Sequence, residues 1–209
     1  MRLNLKTIAV IAIIGLAFLW WRSGRTPHYI NYPPPARGPW IAFGDSLTEG
    51  YGATEGHDYP ALLGRKLGVA IQNHGASGEA TREGLNRLEA LAQLKPRVVL
   101  LCFGGNDGLQ QLPREETLAN LSRMIDRFHQ SGAFVVLIGI HSVGLRDHND
   151  KPFKKLAREK SLLYVPDLLE GIMFRPVLMS DALHPNDAGY EVFAGRMKTF
   201  LEPLLPQLR

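Results

Sequence analysis

The sequence predicts an α/β fold in which helices cover both faces of a five-stranded parallel sheet. From Gly38 onwards, short apolar runs alternate with longer amphipathic stretches, the pattern of successive strand–helix units. Two of the apolar runs, residues 97–103 and 134–140, contain almost no polar side chain. Such runs are typical of central strands that are covered by helices on both sides.

The individual elements follow in chain order. Strands are predicted at residues 40–43, 69–71, 97–103, 134–140 and 162–165, and the second of these is the weakest. Helices are predicted at residues 59–67, 81–94, 114–130 and 186–204, and the third carries its apolar side chains on one face. Pro185 directly precedes the last helix, which fits a helix start.

The composition describes one ordinary globular domain with an appendage. The chain has 209 residues, of which 45% are hydrophobic and 21% charged, and its net charge is +4. No dense run of Lys and Arg with interleaved aromatic residues occurs, so nucleic-acid binding is not supported. The single Cys102 lies in an apolar run, which predicts a buried, inert thiol and excludes an intramolecular disulfide.

Residues 1–22 are interpreted as an N-terminal membrane anchor or signal segment. An uncharged apolar run, residues 8–21, ends in Trp20 and Trp21, a pair that suits the membrane–water interface, and the residues after it do not form the A-x-A-like pattern of a signal-cleavage site. About 14 residues cover only ~21 Å of a ~30 Å hydrocarbon core. The sequence therefore favours an uncleaved anchor, with a cleaved signal as the alternative, and leaves its orientation open.

Residues 23–38 are predicted to form a semi-rigid spacer before the domain at 39–209. This stretch contains Pro27 and three consecutive prolines from Pro33 but no hydrophobic period. A binding site for a proline-recognising partner is the alternative.

Four short polar stretches follow the predicted strands. Ser46 comes after the first strand, Gly78 after the second and Asn106 after the third, while Asp181 and His184 lie between the last strand and the last helix. Ligands of parallel sheets bind outside the carboxyl ends of the strands. We therefore expect these residues to meet at one edge of the sheet.

The residue types at this edge are those of a serine hydrolase. Ser46 needs a base to become a nucleophile, and His184, with Asp181 three residues earlier to orient it, is the candidate. The backbone N–H groups of Ser46 and Gly78 and the side chain of Asn106, placed in a glycine-rich loop, are the candidate oxyanion donors. The alternatives are a helix-capping or turn role for Ser46 and an exposed loop pair at 181 and 184.

Other polar residues receive different interpretations. Ser77 is a rival nucleophile, and Asn73 and Asp107 are expected to stabilise loops. The remaining candidate histidines lack a carboxylate at comparable spacing, although His141 ends a predicted strand and is either a rim residue or structural; the others are His57, His74, His129 and His148.

From Trp40 to the C-terminus, these motifs resemble the SGNH, or GDSL, hydrolase family. The stretches GYGA at 50–53, YPALL at 59–63, GGNDGLQQLP at 104–113, GAFVVLIGI at 132–140 and DALHPNDAGY at 181–190 resemble its bacterial arylesterase, acyl-CoA thioesterase and lysophospholipase branch. The resemblance implies a flavodoxin-like three-layer fold without a metal or other cofactor. It also implies Ser46 as nucleophile, Asp181–His184 as acid–base pair, and Gly78 and Asn106 as oxyanion donors.

Two features depart from that branch, whose members commonly carry a cleavable signal and work in the periplasm. The N-terminus looks retained, and segment 141–160 is short and basic and lacks the branch's Asn-Tyr motif. Arg146, Lys154 and Lys155 would favour an anionic ester or a membrane, or else form a solvated helix face.

The sequence thus predicts a serine hydrolase that cleaves carboxyl esters or thioesters of small molecules or lipids through an acyl-enzyme on Ser46. We expect a monomer in the cell envelope, anchored in the inner membrane facing the periplasm or secreted to the periplasm. Removal of O-acetyl groups from glycans is the alternative activity. Metal-dependent phosphoryl hydrolysis at Asp45, Asp107 and Asp181 and a non-catalytic binding domain are the two other classes considered.

Overall fold

The computed structural model describes residues 28–140 and 150–209. Five parallel strands form one sheet in the order β2-β1-β3-β4-β5. The strands are β1 (Trp40–Gly44), β2 (Ile71–Gly75), β3 (Val98–Cys102), β4 (Phe134–Ile138) and β5 (Leu163–Val165). The predicted α/β class, with its flavodoxin-like strand order, is therefore confirmed.

The described helices connect these strands. They are α1 (Ser46–Glu49), α2 (Tyr59–Leu67), α3 (Thr81–Gln93), α4 (Gly105–Leu109), α5 (Arg114–Gln130), α6 (Asp150–Glu159), α7 (Asp187–Leu201) and α8 (Leu205–Leu208). Short 3₁₀ turns cover Pro176–Leu178 and Glu202–Leu204. The predicted last helix therefore ends at Leu201, because Pro203 and Pro206 lack the N–H that a continuing helix needs.

Side chains that alternate along each strand divide the core into two layers. On β1, Ile41 and Phe43 pack with α3, α5 and α6 on one face, and Trp40 and Ala42 pack with α2 and α7 on the other. The strands β1, β3 and β4 are buried throughout, which explains their apolar sequences.

The second strand differs from its prediction. The apolar run at 69–71 predicts a strand there, but β2 occupies Ile71–Gly75 and pairs with β1 from Trp40↔Ile71 to Gly44↔Gly75. It is an edge strand, and Gln72 and Asn73 are exposed. An edge strand needs no apolar run, so hydrophobicity alone misplaces it.

Residues 28–38 contact the domain instead of extending away from it as a spacer would. The Asn31 side chain donates to the carbonyl oxygens of His129 and Ala133 at 2.9 and 3.0 Å, and Tyr29 and Tyr32 pack on the ring of Phe134. This segment lies at the amino-terminal edge of the sheet. The proposed anchor, residues 1–22, and linker residues 23–27 lie outside the described residues, within which no helix is long and apolar enough to cross a membrane.

Candidate active site

Ser46 is the first residue of α1, immediately beyond the end of β1. A Cβ at Gly44 would lie 2.1 Å from Thr48 Oγ1 and 2.4 Å from the Cys102 carbonyl oxygen, so a glycine is needed for the chain to turn there. Asp45 caps α1, because its side chain accepts a hydrogen bond from Leu47 N at 3.1 Å. The turn places Ser46, half-buried, at the carboxyl edge of the sheet.

A hydrogen-bonded relay connects Ser46 to Asp181 through His184. The Nε2 atom of His184 lies 3.0 Å from Ser46 Oγ, and its Nδ1 atom lies 2.8 Å from Asp181 Oδ2. Only 16% of the His184 side chain is exposed. Residues far apart in sequence thus meet in the order hydroxyl, imidazole and carboxylate, at the edge of the sheet where we expected them to lie together.

The carboxylate of Asp181 is also held by the backbone. Its Oδ1 atom accepts hydrogen bonds from the N–H groups of Leu183 at 2.7 Å and His184 at 2.8 Å. Desolvation acts to raise the pKa of Asp181, but the hydrogen bonds from the imidazole and these two N–H groups together hold it below its ordinary value. Ionised Asp181 therefore fixes the imidazole with a proton on Nδ1 and leaves Nε2 free to accept one from Ser46.

The candidate oxyanion donors line the same cleft as Ser46 and His184. Gly78 has φ +81°, a conformation that favours glycine, and open space surrounds the position of its missing Cβ. Asn106 lies in the short helix α4 and not in the predicted loop, because Gly104, at φ +117°, turns the chain directly into that helix. Its side-chain amide donates to the Glu79 carbonyl oxygen at 2.9 Å, which fixes the amide and leaves a second N–H for the cleft.

Asn73 and Asp107, which were expected to stabilise loops, instead connect helices and strands near the site. The Asn73 side chain donates to the Thr48 carbonyl oxygen at 2.8 Å and accepts from Gly75 N at 2.9 Å. Buried Asp107 accepts hydrogen bonds from Thr81 N at 2.9 Å and from the hydroxyl of Thr117 at 3.0 Å.

The rival nucleophile Ser77 has a different partner. Its hydroxyl donates to the carboxylate of Glu49, and its backbone N–H donates to the same oxygen at 2.8 Å. Ser46, and not Ser77, is therefore the serine that the structure pairs with His184.

An arginine that the sequence did not single out joins the segments around the site. Arg87, on α3, forms an ion pair with Glu79 at 2.5 Å and donates to the carbonyl oxygens of His74 at 2.9 Å and Gly44 at 3.3 Å. Its guanidinium also lies 4.9 Å from the centre of the Phe43 ring. One side chain thus connects the ends of β1 and β2 with the loop that contains Gly78. No local sequence motif predicts these contacts.

The cleft itself has a volume of about 200 Å³ and mainly apolar walls. Tyr51, also missed from sequence, packs against the His184 ring with ring centres 4.5 Å apart. The other apolar lining residues are Leu47, Leu109, Ile140, Leu169 and Leu183. Such walls suit the apolar part of an organic ligand.

Asp45 adds a second carboxyl group beside Ser46. Its burial raises its pKa to about 7; the hydrogen bond from Leu47 N opposes the rise, and the charges of Asp107 and Glu79 add to it. A protonated Asp45 keeps a negative charge away from the place where an oxyanion would develop.

The remaining sequence candidates lie away from the relay or outside the described residues. His57, His74 and His129 are not among the residues that line the cleft. His141, Arg146 and His148 fall in the undescribed stretch. Lys154 and Lys155 are exposed on α6, and Lys155 lies 3.7 Å from Glu159, as on a solvated helix face. Cys102 is buried as predicted, and its burial raises the pKa of the thiol.

The three carboxylates considered for a metal site enter separate interactions. Asp45 caps α1, Asp107 bonds Thr81 and Thr117, and Asp181 bonds His184. Within residues 28–140 and 150–209, no three His, Cys, Asp or Glu side chains are grouped so that they could hold a metal ion.

Known proteins share this sequence and fold. An arylesterase of Vibrio mimicus is 36% identical over 158 residues, which cover 70% of this chain and 79% of that protein. Thioesterase 1/protease 1/lysophospholipase L1 of Escherichia coli K12 is 32% identical over 174 residues, covering 79% of this chain and 84% of that protein. The crystal structure of TesA is similar with a TM-score of 0.71 and 28% identity, covering 79% of this chain and 99% of that one.

The family described as the GDSL-like Lipase/Acylhydrolase family matches residues 42–192, which include every residue of the relay and every candidate oxyanion donor. The match extends over more than half of the chain, and the V. mimicus and E. coli relatives agree with it. This chain is a hydrolase that belongs to the GDSL-like lipase/acylhydrolase family.

Proposed function

We propose that this protein is a serine esterase that hydrolyses carboxyl esters or thioesters through an acyl-enzyme on Ser46. The observation that carries the proposal is the relay from Ser46 Oγ through His184 to Asp181, with distances of 3.0 and 2.8 Å. The relay stands at an apolar cleft that also contains three potential oxyanion donors.

The geometry supports a two-step reaction. Ser46 Oγ attacks the carbonyl carbon while His184 Nε2 takes its proton, and the oxyanion accepts hydrogen bonds from Ser46 N, Gly78 N and the Asn106 amide. The intermediate collapses as His184 returns the proton to the leaving oxygen or sulfur, which leaves an acyl-Ser46 ester. A water molecule, deprotonated by His184, then attacks that ester and releases the acid and free Ser46.

The substrate class rests on the cleft and on the relatives. Apolar walls and the small volume suit an apolar acyl or alcohol group. Two relatives are named arylesterase and thioesterase 1/protease 1/lysophospholipase L1, names that denote ester and thioester substrates. We propose small-molecule or lipid esters as the substrates.

The test is hydrolysis of p-nitrophenyl esters from acetate to palmitate by the full chain, with EDTA present. We expect Ser46→Ala to remove nearly all activity and to leave the thermal unfolding midpoint almost unchanged, because the side chain is small and half-buried. Thr199→Ala removes an exposed hydroxyl from the far part of α7 and serves as the matched control. A Ser46→Ala protein with wild-type turnover would contradict the proposal.

We also propose that residues 1–22 hold a monomeric protein at the cell envelope, on the periplasmic side. The uncharged run at residues 8–21, with its terminal tryptophan pair, supports this location. Cell fractionation, combined with the mass of the recovered chain, distinguishes an intact anchor in the membrane fraction from a shortened periplasmic protein. Recovery of the intact chain in the cytoplasmic fraction would contradict both forms.

A further inference from the structure

Tyr51 places an exposed aromatic ring directly beside His184. The ring centres are 4.5 Å apart and the planes are inclined by 47°. Tyr51 nevertheless remains 53% exposed and lines the cleft. A large part of the ring is therefore available to a bound molecule that also reaches His184.

The backbone around Tyr51 is held in place before any substrate arrives. The N–H of Tyr51 donates to the Ser46 carbonyl oxygen at 3.0 Å, and the Tyr190 hydroxyl donates to the Tyr51 carbonyl oxygen at 3.0 Å. Further along the loop, Thr54 donates twice to the carboxylate of Asp187 at 2.7 Å. A ring held in this way binds a ligand with little additional loss of conformational entropy.

The reaction determines which part of the substrate lies near this ring. His184 Nε2 must pass its proton to the leaving atom, so that atom lies within hydrogen-bond reach of the imidazole. The rest of the alcohol then extends along the surface next to the imidazole, which Tyr51 forms. The acyl group leaves the carbonyl carbon in another direction.

We propose that Tyr51 is the leaving-group contact and gives the enzyme a preference for esters of aromatic alcohols over esters of small alkyl alcohols. This inference rests on the function proposed above. Aromatic rings attract each other beyond the effect of area burial, which makes Tyr51 a specificity-determining residue.

The test compares benzyl acetate with methyl acetate as substrates of the full-length wild type, Tyr51→Ala and Tyr51→Phe. Both esters form the same acetyl-enzyme, and their alcohols are nearly equal in acidity, so the ratio of their kcat/KM values isolates the contact with the alcohol. We expect Tyr51→Ala to lower kcat/KM for benzyl acetate, relative to kcat/KM for methyl acetate, about tenfold. Tyr51→Phe keeps the ring and is expected to keep the ratio.

Phe174→Ala is the matched control, since Phe174 is 85% exposed and does not line the cleft. It should leave both rates unchanged. Methyl acetate has no ring to contact Tyr51. A fall in its kcat/KM in Tyr51→Ala therefore measures any effect of the substitution on the orientation of His184.

Equal losses on the two esters, or none, would overturn the assignment of Tyr51 as the leaving-group contact. A wild type that prefers methyl acetate would do the same. Failure of the proposed function looks different, because Ser46→Ala would then retain hydrolysis of both esters. A wild type that hydrolyses p-nitrophenyl acetate but neither benzyl nor methyl acetate would overturn the preference assigned to Tyr51 and leave the proposed function standing.

Discussion

Asp45 and Asp181 are both aspartates at the carboxyl edge of the sheet, yet their surroundings give them opposite proton affinities. Asp181 is partly exposed, and the N–H groups directed at it hold its pKa below the ordinary value. Asp45 is buried next to other carboxylates, and its pKa rises to about 7. One of them therefore carries the charge that orients His184, whereas the other takes up a proton as the pH falls below neutrality.

This difference predicts how Asp45 affects the pH dependence of stability. Its folded pKa of about 7 exceeds the ordinary value of 3.8, so between these pH values the folded state holds a proton that the unfolded state releases. The contribution of Asp45 to the free energy of unfolding therefore falls as the pH rises through this window. Asp45→Asn does not titrate and can still accept the hydrogen bond from Leu47 N.

We expect the unfolding midpoint of Asp45→Asn, relative to wild type, to rise by on the order of 10 °C between pH 4 and pH 8, because a pKa raised from 3.8 to about 7 corresponds to about 4 kcal/mol. Thermal unfolding across this pH range measures it. Glu170→Gln, for an exposed glutamate outside the cleft lining, corrects for the loss of one charge. A constant difference between Asp45→Asn and wild type would show that Asp45 has an ordinary pKa.

Asn106 allows a second prediction at this scale. Replacement by Ala removes one potential oxyanion donor, and we expect kcat to fall by about 10²–10³. Asn106→Asp keeps the shape but loses the N–H and should show a comparable loss. Steady-state kinetics with a p-nitrophenyl ester tests both variants, and a normal kcat in either would remove Asn106 from the proposed oxyanion hole.

At the scale of secondary-structure elements, Arg87 links the ends of β1 and β2 to the loop that contains Gly78. Its guanidinium donates to the Gly44 carbonyl oxygen at the end of β1 and to the carboxylate of Glu79. The backbone carbonyl oxygen of Glu79 in turn accepts a hydrogen bond from the Asn106 side chain. The position of Ser46 relative to Gly78 and Asn106, the candidate oxyanion donors, is therefore held by contacts that start on α3. Catalysis is sensitive to misplacements of about 1 Å between such groups.

We expect Arg87→Ala to lower kcat by about 10–10² with a smaller effect on KM, because the oxyanion donors act mainly in the transition state. Arg87→Lys should restore part of kcat, since an ammonium group can still pair with Glu79 but cannot reproduce all the bonds. Arg82→Ala, which removes an exposed arginine from the same helix, is the control. Proportional changes in kcat and in the amount of folded protein would indicate a purely structural role.

At the scale of the whole molecule, the cleft lies at the carboxyl ends of the strands and residues 28–38 lie at their amino-terminal ends. Ser46 and Asn106 follow the carboxyl ends of β1 and β3, where the strand order reverses direction. Asn31 contacts the carbonyl of Ala133, which immediately precedes β4. A tether through the preceding residues would therefore attach at the end remote from the cleft.

The docking of this segment predicts a contribution to global stability. Asn31→Ala loses two hydrogen bonds and places Ala at φ +56°, so we expect the full chain to be destabilised by about 1–3 kcal/mol. Thermal unfolding tests this, with the exposed His28→Ala as control. An unchanged midpoint would mean that the hydrogen bonds of Asn31 contribute nothing to the stability of the domain.

The sequence by itself determined the fold class, the buried strands and the identity of the relay residues. Residues 97–103 and 134–140 are apolar because helices cover both faces of β3 and β4, and α2 and α5 have the predicted bounds. Ser46 could be predicted because it follows a strand whose end is visible in the local pattern, and Asp181 and His184 because they stand three residues apart just before the last helix. Buried strands and the ends of elements depend on burial or on neighbours in the chain. Both affect the local pattern of apolar and polar residues, which can be read from the sequence.

Only the tertiary structure decided the position of β2, the contacts of residues 28–38 and the roles of Tyr51 and Arg87. The edge strand β2 is polar because one side of it lacks a neighbouring strand, so its register comes from pairing with β1. Tyr51 reaches His184 and Arg87 reaches Gly44 across long sequence separations. These interactions depend on distances between elements that are far apart in the chain. Hydrophobic periodicity predicts whether a residue is buried, but it does not predict which distant residue it contacts.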